Sequence, residues 1–494
     1  MEEKNNPSKI IIVTSVIIII FVFIIIGVII AINLGKNEQD EILQNITQND
    51  IQENQEEENT ILDEENLTIV DDETADFSKR YGRIDIIWID ENNNEIDNPL
   101  KPNVSGLTPV KFDTNKAEFV ETMQNDSNWY NYDLQLWANA INTDGSYFVW
   151  IPRYAYRITY YSNSQYTKII GYCDGRGIMK LNDNGTLTRI SKNNTGIRET
   201  SNHYIVAPAF SKDTASGYRN GGWDSDLSGI WVAKYEMSME TEGNHTESIN
   251  GIIGNVQTND IVKAVSKPGV SSWRNININN CYLNSYNYDR SKDSHLIKNS
   301  EWGAVAYLTY SKYGRNGKKV TINGSSEYIT GGTASEESVY ISNCNQSTTG
   351  NATGIYDLSG GSWEFVSAYI DNGYYGLKDN GGSLDTDLYG SRNSKYKSIY
   401  PNVSNDDGDD YLEEYALNNF SLTYRYRGDA IFETSDSGFG NDSFDNNTAY
   451  YIQGDIPFLI RGGDYNSGMG AGVFSYNGYS GAGNSTESFR VVLI

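Results

Sequence analysis

"GIYDLSGGSWEFV", Gly354 to Val366, is the stretch on which the fold reading turns. It starts on Ile355 and Tyr356, passes through Gly360-Gly361, and closes on Trp363-Glu364-Phe365-Val366. β-branched and aromatic residues suit a pleated, half-buried surface, and paired glycines supply the backbone freedom of a turn. The stretch therefore reads as strand, turn, strand, with a carboxylate set inside the second strand.

Outward from it, the same grammar repeats as short strands, long Gly/Asn/Ser loops and few helices. "RYGRIDIIWID" (Arg80 to Asp90) is a β-branched run, and "GLTPVKF" and "NWYNYDLQLWANA" (Asn128 to Ala140) are bounded by polar turns. The best helix candidate is "NSEWGAVAYLTYSKYG", starting at Asn299. Asn299 or Ser300 caps its start, Glu301 suits its positive end and Gly314 stops it. Trp302, Val305, Ala306 and Thr309 then share one face. No tandem repeat of fixed period is visible.

The chain of 494 residues has a formal net charge of -27, and between Asn37 and Asp76 stand 15 Asp or Glu with no Lys or Arg. Such a charge repels phosphate backbones, so nucleic-acid partners are not expected. Residues 33–78 read as an acidic disordered stalk, too poor in apolar surface to offset their ordering entropy. Ahead of them, the 23 residues Ile10 to Ile32 are apolar except for Thr14, Ser15 and Gly27. As a helix they would span about 34 Å, against a hydrocarbon core of roughly 30 Å. The run is longer than a cleavable signal needs, and its Ala-Ile-Asn-Leu end is a poor cleavage site. It predicts a single-pass transmembrane helix over 10–32, with the membrane as a partner. Lys4 and Lys9 place residues 1–9 in the cytoplasm and the remainder outside the cell. Cys173, Cys281 and Cys344 are too scattered for a zinc knuckle or disulfide scaffold, and His203, His245 and His295 lack metal-ligand spacing.

Seven stretches then resemble, in order, the formylglycine-generating enzyme or sulfatase-modifying family. They are "YFVWIPRYAYRI" (Tyr147 to Ile158), "GIWVAKYEMSM" (Gly229 to Met239), "KPGVSSWRNI" (Lys267 to Ile276), "HLIKNSEWGAVAYL" (His295 to Leu308), "GIYDLSGGSWEFV", "FLIRGG" (Phe458 to Gly463) and "SFRVVLI" (Ser488 to Ile494). The chain is similar also to uncharacterised surface proteins of low-GC Gram-positive bacteria. The resemblance implies an α+β, C-type-lectin-like domain over 145–494, with 79–144 as a β-rich accessory segment. In that family a cysteine pair just after the Arg-Gly-Gly strand binds copper and performs the oxidation. Here Arg461 to Arg490 contains no cysteine, and Gly, Ser and Asn do not replace thiolates toward Cu(I). The resemblance therefore implies the fold without the enzyme, and no cofactor. In the family the Trp-Glu motif also helps hold a calcium ion. Glu364 is the matching residue, but the family's asparagine is Gly361, one oxygen ligand fewer. Calcium at Glu364 competes with a plainer reading, in which Trp363 lies in the core and Glu364 accepts backbone hydrogen bonds. "NDDGDDYLEE" (Asn405 to Glu414) lacks the ligand alternation of an EF-hand and reads as a solvated loop. Arg461 and Arg490 read as fixing strand ends.

Between Asp464 and Thr486, 17 of 23 residues are Gly, Ser, Asn, Tyr or Asp. Tyrosine supplies rigid amphipathic contact area, and the small polar residues supply adaptable hydrogen bonding, as in a paratope. The loop is similar in this respect to the last strands of variable proteins diversified by retroelements. The candidate ligand-binding residues are Asp464, Tyr465, Asn466, Ser467, Tyr476, Asn477, Tyr479 and Asn484, with the tyrosines expected to be solvent-accessible anchors. The chain is thus expected to be a membrane-anchored, outward-facing binding protein for a protein or glycan. The rivals are an oxidase or other enzyme with a non-standard centre, and a structural surface protein.

Overall fold

Short runs of valine, isoleucine and aromatic residues favour strands wherever a sheet face can be covered, and most such runs are strands here. The structure is a computed structural model that describes residues 82–494 except 162–167, 172–178, 182–185, 190–196, 199–203, 213–221, 240–262, 334–339, 387–394, 402–427, 432, 435–442, 451 and 453.

In the first sheet β1 (Gly82–Trp88) pairs antiparallel with β6 (Tyr154–Tyr161), Gly82 opposite Tyr160 and Trp88 opposite Tyr154. β7 (Lys168–Gly171) and β11 (Ile205–Val206) also pair with β6. The second sheet has seven strands, in the order β15 (His295–Leu296), β21 (Val491–Leu493), β12 (Gly229–Ala233), β5 (Tyr147–Pro152), β4 (Asn139–Ile141), β2 (Thr108–Asp113), β3 (Glu118–Glu121). The third has β17 (Ser398–Pro401), β16 (Trp363–Asp371), β18 (Phe458–Gly462) and β19 (Gly472–Tyr479) in that order, with β20 (Glu487–Phe489) parallel to β16. A small meander of β8 (Met179–Leu181), β9 (Thr186–Arg189) and β10 (Ile197–Arg198), and the pair β13 (Ser238–Met239) with β14 (Ala264–Val265), complete the described strands. Three α-helices accompany them among the described residues: α1 (Ile278–Asn287), α2 (Asn299–Tyr310) and α3 (Gly376–Thr386).

The strands of 79–144 are not an accessory layer. β1 is hydrogen-bonded to β6, and β4 to β5, so the expected boundary at 144 falls within shared sheets. The core is unusually rich in indoles: Trp129, Trp137, Trp150, Trp231, Trp273 and Trp302 are all fully buried. Most place their N–H on a backbone carbonyl, as Trp137 does on Tyr313 (2.8 Å) and Trp302 on Val473 (2.7 Å).

Three expectations are corrected. The α+β, C-type-lectin-like class does not describe this chain, which is mostly β-sheet with few helices. The physical reason is that its apolar residues are chiefly β-branched and aromatic, and they are spent on sheet faces. Against the expected single-pass anchor and the placement derived from it, no helix among the described residues is long and apolar enough to cross a membrane. The 12 residues of α2 extend about 18 Å, roughly half a hydrocarbon core. The run 10–32 itself, with 1–9 and the stalk 33–78, lies outside the described residues, as do Cys173, His203, His245 and 405–414. Finally, α2 forms where expected but buries every side rather than one face. It begins after Lys298, whose N–H donates to Glu301 (2.9 Å), and stops at Ser311, before Gly314.

Candidate ligand-binding site at the C-terminal turns

The strand order brings the stretch quoted first against the C-terminus. Glu364 lies in β16 beside both Arg461 of β18 and Ser488 of β20. Its carboxylate is fully buried and accepts from Arg490 twice, Nε to Oε2 at 3.0 Å and Nη2 to Oε1 at 2.5 Å. A bidentate guanidinium is the strongest ordinary partner for a carboxylate. The remaining Arg490 donors reach the carbonyls of Ala233 and Tyr356 (2.7 and 2.9 Å), tying three segments together. The plainer reading of Glu364 is thereby corrected: both of its oxygens accept from a guanidinium rather than from the backbone. Trp363 is only half-buried. Gly361 stands where the resemblance expects asparagine for a local reason. Its φ is +72°, and a Cβ there would lie 2.7 Å from Glu236 Oε1.

Glu236 and Asp357 extend this network. Ser362 N–H donates to Glu236 Oε1 (2.7 Å), while Asp357 Oδ1 accepts from Asn323, Gly331 and Gln346 at 2.8–2.9 Å. Their second oxygens, Glu236 Oε2 and Asp357 Oδ2, have no hydrogen-bond partner among the described residues. Burial, reinforced by the Asp357 and Glu364 charges, holds the Glu236 carboxyl well above the usual range. Among the described residues no group of three or more His, Cys, Asp or Glu is placed to hold a metal ion. Arg461, fully buried, donates to the carbonyls of Ala430 (3.2 Å) and Val473 (3.4 Å), so it braces the end of β18.

The Gly/Ser/Asn/Tyr-rich segment after Arg461 is not one loop. Gly462 and Gly463 both take left-handed backbone (φ +91° and +78°) to start a turn through 463–471. Strand β19 follows, and a second turn, 480–486, leads into β20. The first turn carries Asp464, Tyr465, Asn466 and Ser467. Ser467 Oγ donates to Asp464 Oδ1 (2.5 Å) and accepts from Asp464 N–H (3.0 Å), and Asn466 is exposed. Tyr476, in contrast, is fully buried in β19 opposite Arg461, which overturns its assignment as an exposed anchor. Tyr476 closes a run, Gly472 to Tyr476, that is buried on both faces of the strand, and burial alternates only beyond it. Asn477 and Tyr479, on the other parity, are half-buried. The Tyr479 hydroxyl accepts from Asn484 Nδ2 (2.8 Å), which joins β19 to the exposed second turn.

Three residues that composition alone did not single out complete the surface. Arg274 places its guanidinium 3.7 Å from the centroid of the Tyr328 ring, and its Nη1 donates to Ser485 O (2.6 Å). Tyr328 sits at φ +57°, rare for an aromatic residue. It is held there by Ser272, whose N–H and Oγ both donate to its carbonyl (3.0 and 3.2 Å). The Tyr465 ring meets Tyr328 edge-on at 5.1 Å. Glu487 takes a hydrogen bond from Thr486 Oγ on Oε1 (2.7 Å). Its carboxyl is pushed up to about 7 by burial, with the Asp464 charge adding to it. A sequence signal existed for Arg274 alone, inside the "SSWRNI" stretch. Tyr328 joins the site only through the chain's return, whereas Glu487 directly follows the second turn.

No protein-family model matches this sequence, and no curated protein matches it. The resemblance to the sulfatase-modifying family has no support beyond the seven stretches.

Proposed function

We propose that this chain is a recognition protein whose ligand surface is formed by the turns 463–471 and 480–486, carried on the β16–β18–β19 sheet and β20. The observation behind this reading is the base of that surface. Arg274 Nε and Glu487 Oε2 are buried without hydrogen-bond partners among the described residues, in side chains that touch the second turn, Arg274 Nη1 donating to Ser485 O and Glu487 Oε1 accepting from Thr486 Oγ. Buried polar atoms left unpaired cost free energy, and a bound ligand is one way that cost is offset. Tyr465 and the exposed Asn466 and Asn484 supply the mixture of rigid and adaptable contacts that binding surfaces use. The ligand class is protein or glycan.

The test is an array of purified proteins and glycans probed with full-length protein and with a Tyr465→Ala/Asn466→Ala/Asn484→Ala variant. Capture by the wild type should weaken at least about tenfold in the variant while its melting temperature stays within about 2 °C. Equal capture by both proteins would remove these turns from recognition.

A further inference from the structure

Among the described residues the exposed large hydrophobic side chains are Met123, Leu134, Tyr375 and Met469, so Tyr375, 69% exposed, is the one aromatic ring left mostly in water. A lone exposed apolar side chain is ordinary, but this one belongs to a pair built by its surroundings. The half-buried Tyr374 ring lies 4.4 Å from it, centroid to centroid, tilted by 46°. Tyr374 in turn rests on the backbone of Gly376, where a Cβ would come within 2.5 Å of its Cε1. Asn372 fixes the turn beneath the pair: its Oδ1 accepts from Tyr374 N–H (3.0 Å), and its Nδ2 donates to Gly454 O (2.8 Å). The first turn of α3 closes on Tyr375 O, which accepts from the N–H groups of Lys378 (3.0 Å) and Asp379 (3.2 Å), so all three residues share one face. Lys378, Asp379 and Asp455, the residue after Gly454, are exposed. The space around the pair is open, since a Cβ built on Gly373 or Gly454 would meet nothing within 4 Å.

The geometry points to a platform for a neutral sugar ring: the Tyr374–Tyr375 pair stacks on the C–H face of a pyranose, while Asp379 and Asp455 accept from its hydroxyls. An aromatic face carries partial negative charge and attracts polarised C–H groups. Without walls, the site takes a flat ligand face rather than an enclosed group. A carboxylate only accepts hydrogen bonds, so the flanking acids match a ligand rich in donors, as sugar hydroxyls are. A proline-rich segment, the other usual occupant of paired tyrosines, offers chiefly carbonyl acceptors. A cationic ligand is disfavoured by Lys378, which already places a positive charge on the same helix face. Asn380 Nδ2 donates to Ser480 O (3.0 Å), which fixes α3 against the start of the second C-terminal turn. Five residues of helix separate Tyr375 from that contact, about 8 Å along the axis. The platform is a second site beside those turns and holds or fails independently of them.

Full-length protein is titrated, with ligand-observed NMR and calorimetric detection, with cellotriose, maltotriose, tri-N-acetylchitotriose, decaproline and N-acetyl-lysine-methylamide. The expected result is saturable binding of at least one trisaccharide with Kd of about 1 mM or tighter. Tyr375→Ala should weaken that binding at least about tenfold while its melting temperature stays within about 2 °C of wild type. Tyr375→Trp, which keeps a ring face, should retain it. Failure of all three trisaccharides to saturate, unchanged binding in Tyr375→Ala, or tighter binding of decaproline or of the lysine probe would each overturn the platform. Trisaccharide binding kept in Tyr375→Ala but lost in the Tyr465→Ala/Asn466→Ala/Asn484→Ala variant would place the sugar at the C-terminal turns, refuting the platform and leaving the recognition reading standing. Loss in Tyr375→Ala alone supports the platform whether or not those turns bind.

Discussion

Replacing Tyr476 with alanine separates a packing role from a binding role. The side chain is fully buried in β19, opposite Arg461 in β18, with the Arg461 guanidinium 5.6 Å from its ring centroid. Its backbone N–H and carbonyl are both committed to one neighbouring segment, to Thr448 O (2.9 Å) and Tyr450 N–H (3.1 Å), so the strand has little freedom to collapse into the space left. Truncating a buried aromatic at such a site costs about 3–5 kcal/mol. For a unit of about 400 residues, an unfolding entropy near 2.1 cal/mol/K per residue converts about 4 kcal/mol into a melting-temperature drop of roughly 5 °C. Tyr465→Ala provides the contrast. It loses one edge-on aromatic contact from a half-buried position, about 0.5–1.5 kcal/mol, and should move the midpoint by no more than about 2 °C. The assay is paired thermal and urea denaturation of wild type and both variants, followed by near-ultraviolet circular dichroism. A Tyr476→Ala midpoint within about 1 °C of wild type would refute the packing argument.

The Arg490–Glu364 pair leads to a second prediction: Arg490→Met should destabilise by about 3–5 kcal/mol because it strands a buried carboxylate, and adding Glu364→Met should recover most of that loss in a double-mutant cycle. Gly463→Ala should cost about 1–3 kcal/mol, since φ is +78° and the new Cβ would sit 2.7 Å from Ala471 Cα; the denaturation midpoint measures it. Asp429 supplies a pH signature. Its buried carboxyl accepts from Tyr400 (2.9 Å) and Ile431 N–H (3.1 Å), and burial pushes it up to about 7 from an ordinary value near 3.8. Between those values the folded state binds the extra proton, so stability from this group falls as pH rises from about 4 toward 7, by up to ~1.4 kcal/mol per pH unit. Asp429→Asn should flatten that part of the stability–pH curve, and an unchanged slope in the variant would show that another group is responsible.

Much of the local structure was legible. The helix over "NSEWGAVAYLTY" announced itself through its polar start and Glu301, the strand within "RYGRIDIIWID" through its β-branched run, and the strands at Tyr147, Gly229, Phe458 and Val491 through the resembling stretches. Its burial on all sides was not legible, because a helix surrounded by sheets shows the same letters as one lying on them. The site was legible in half. Asp464, Tyr465, Asn466 and Ser467 do form a turn at the surface, with Asn466 exposed and the others half-buried, but the same composition continues into β19, where Tyr476 is buried. Composition does not show which strand is covered on both faces. Glu364 shows the related difficulty: a buried carboxylate needs a partner, and one 126 positions away in the chain cannot be named from spacing.

What the sequence determined by itself is therefore what depends on neighbours along the chain: the acidity, the strand-forming runs, the glycines that permit left-handed turns at 360–361 and 462–463, and the absence of cysteine between Arg461 and Arg490. Only the tertiary structure decided which side chains meet the C-terminal turns, that Arg490 rather than the backbone satisfies Glu364, and that Arg274 and Tyr328 join that surface. The physical reason is one of range. Backbone propensity acts over a few residues, whereas burial and charge pairing act between any two segments that packing brings within a few ångströms, however far apart they lie in the chain.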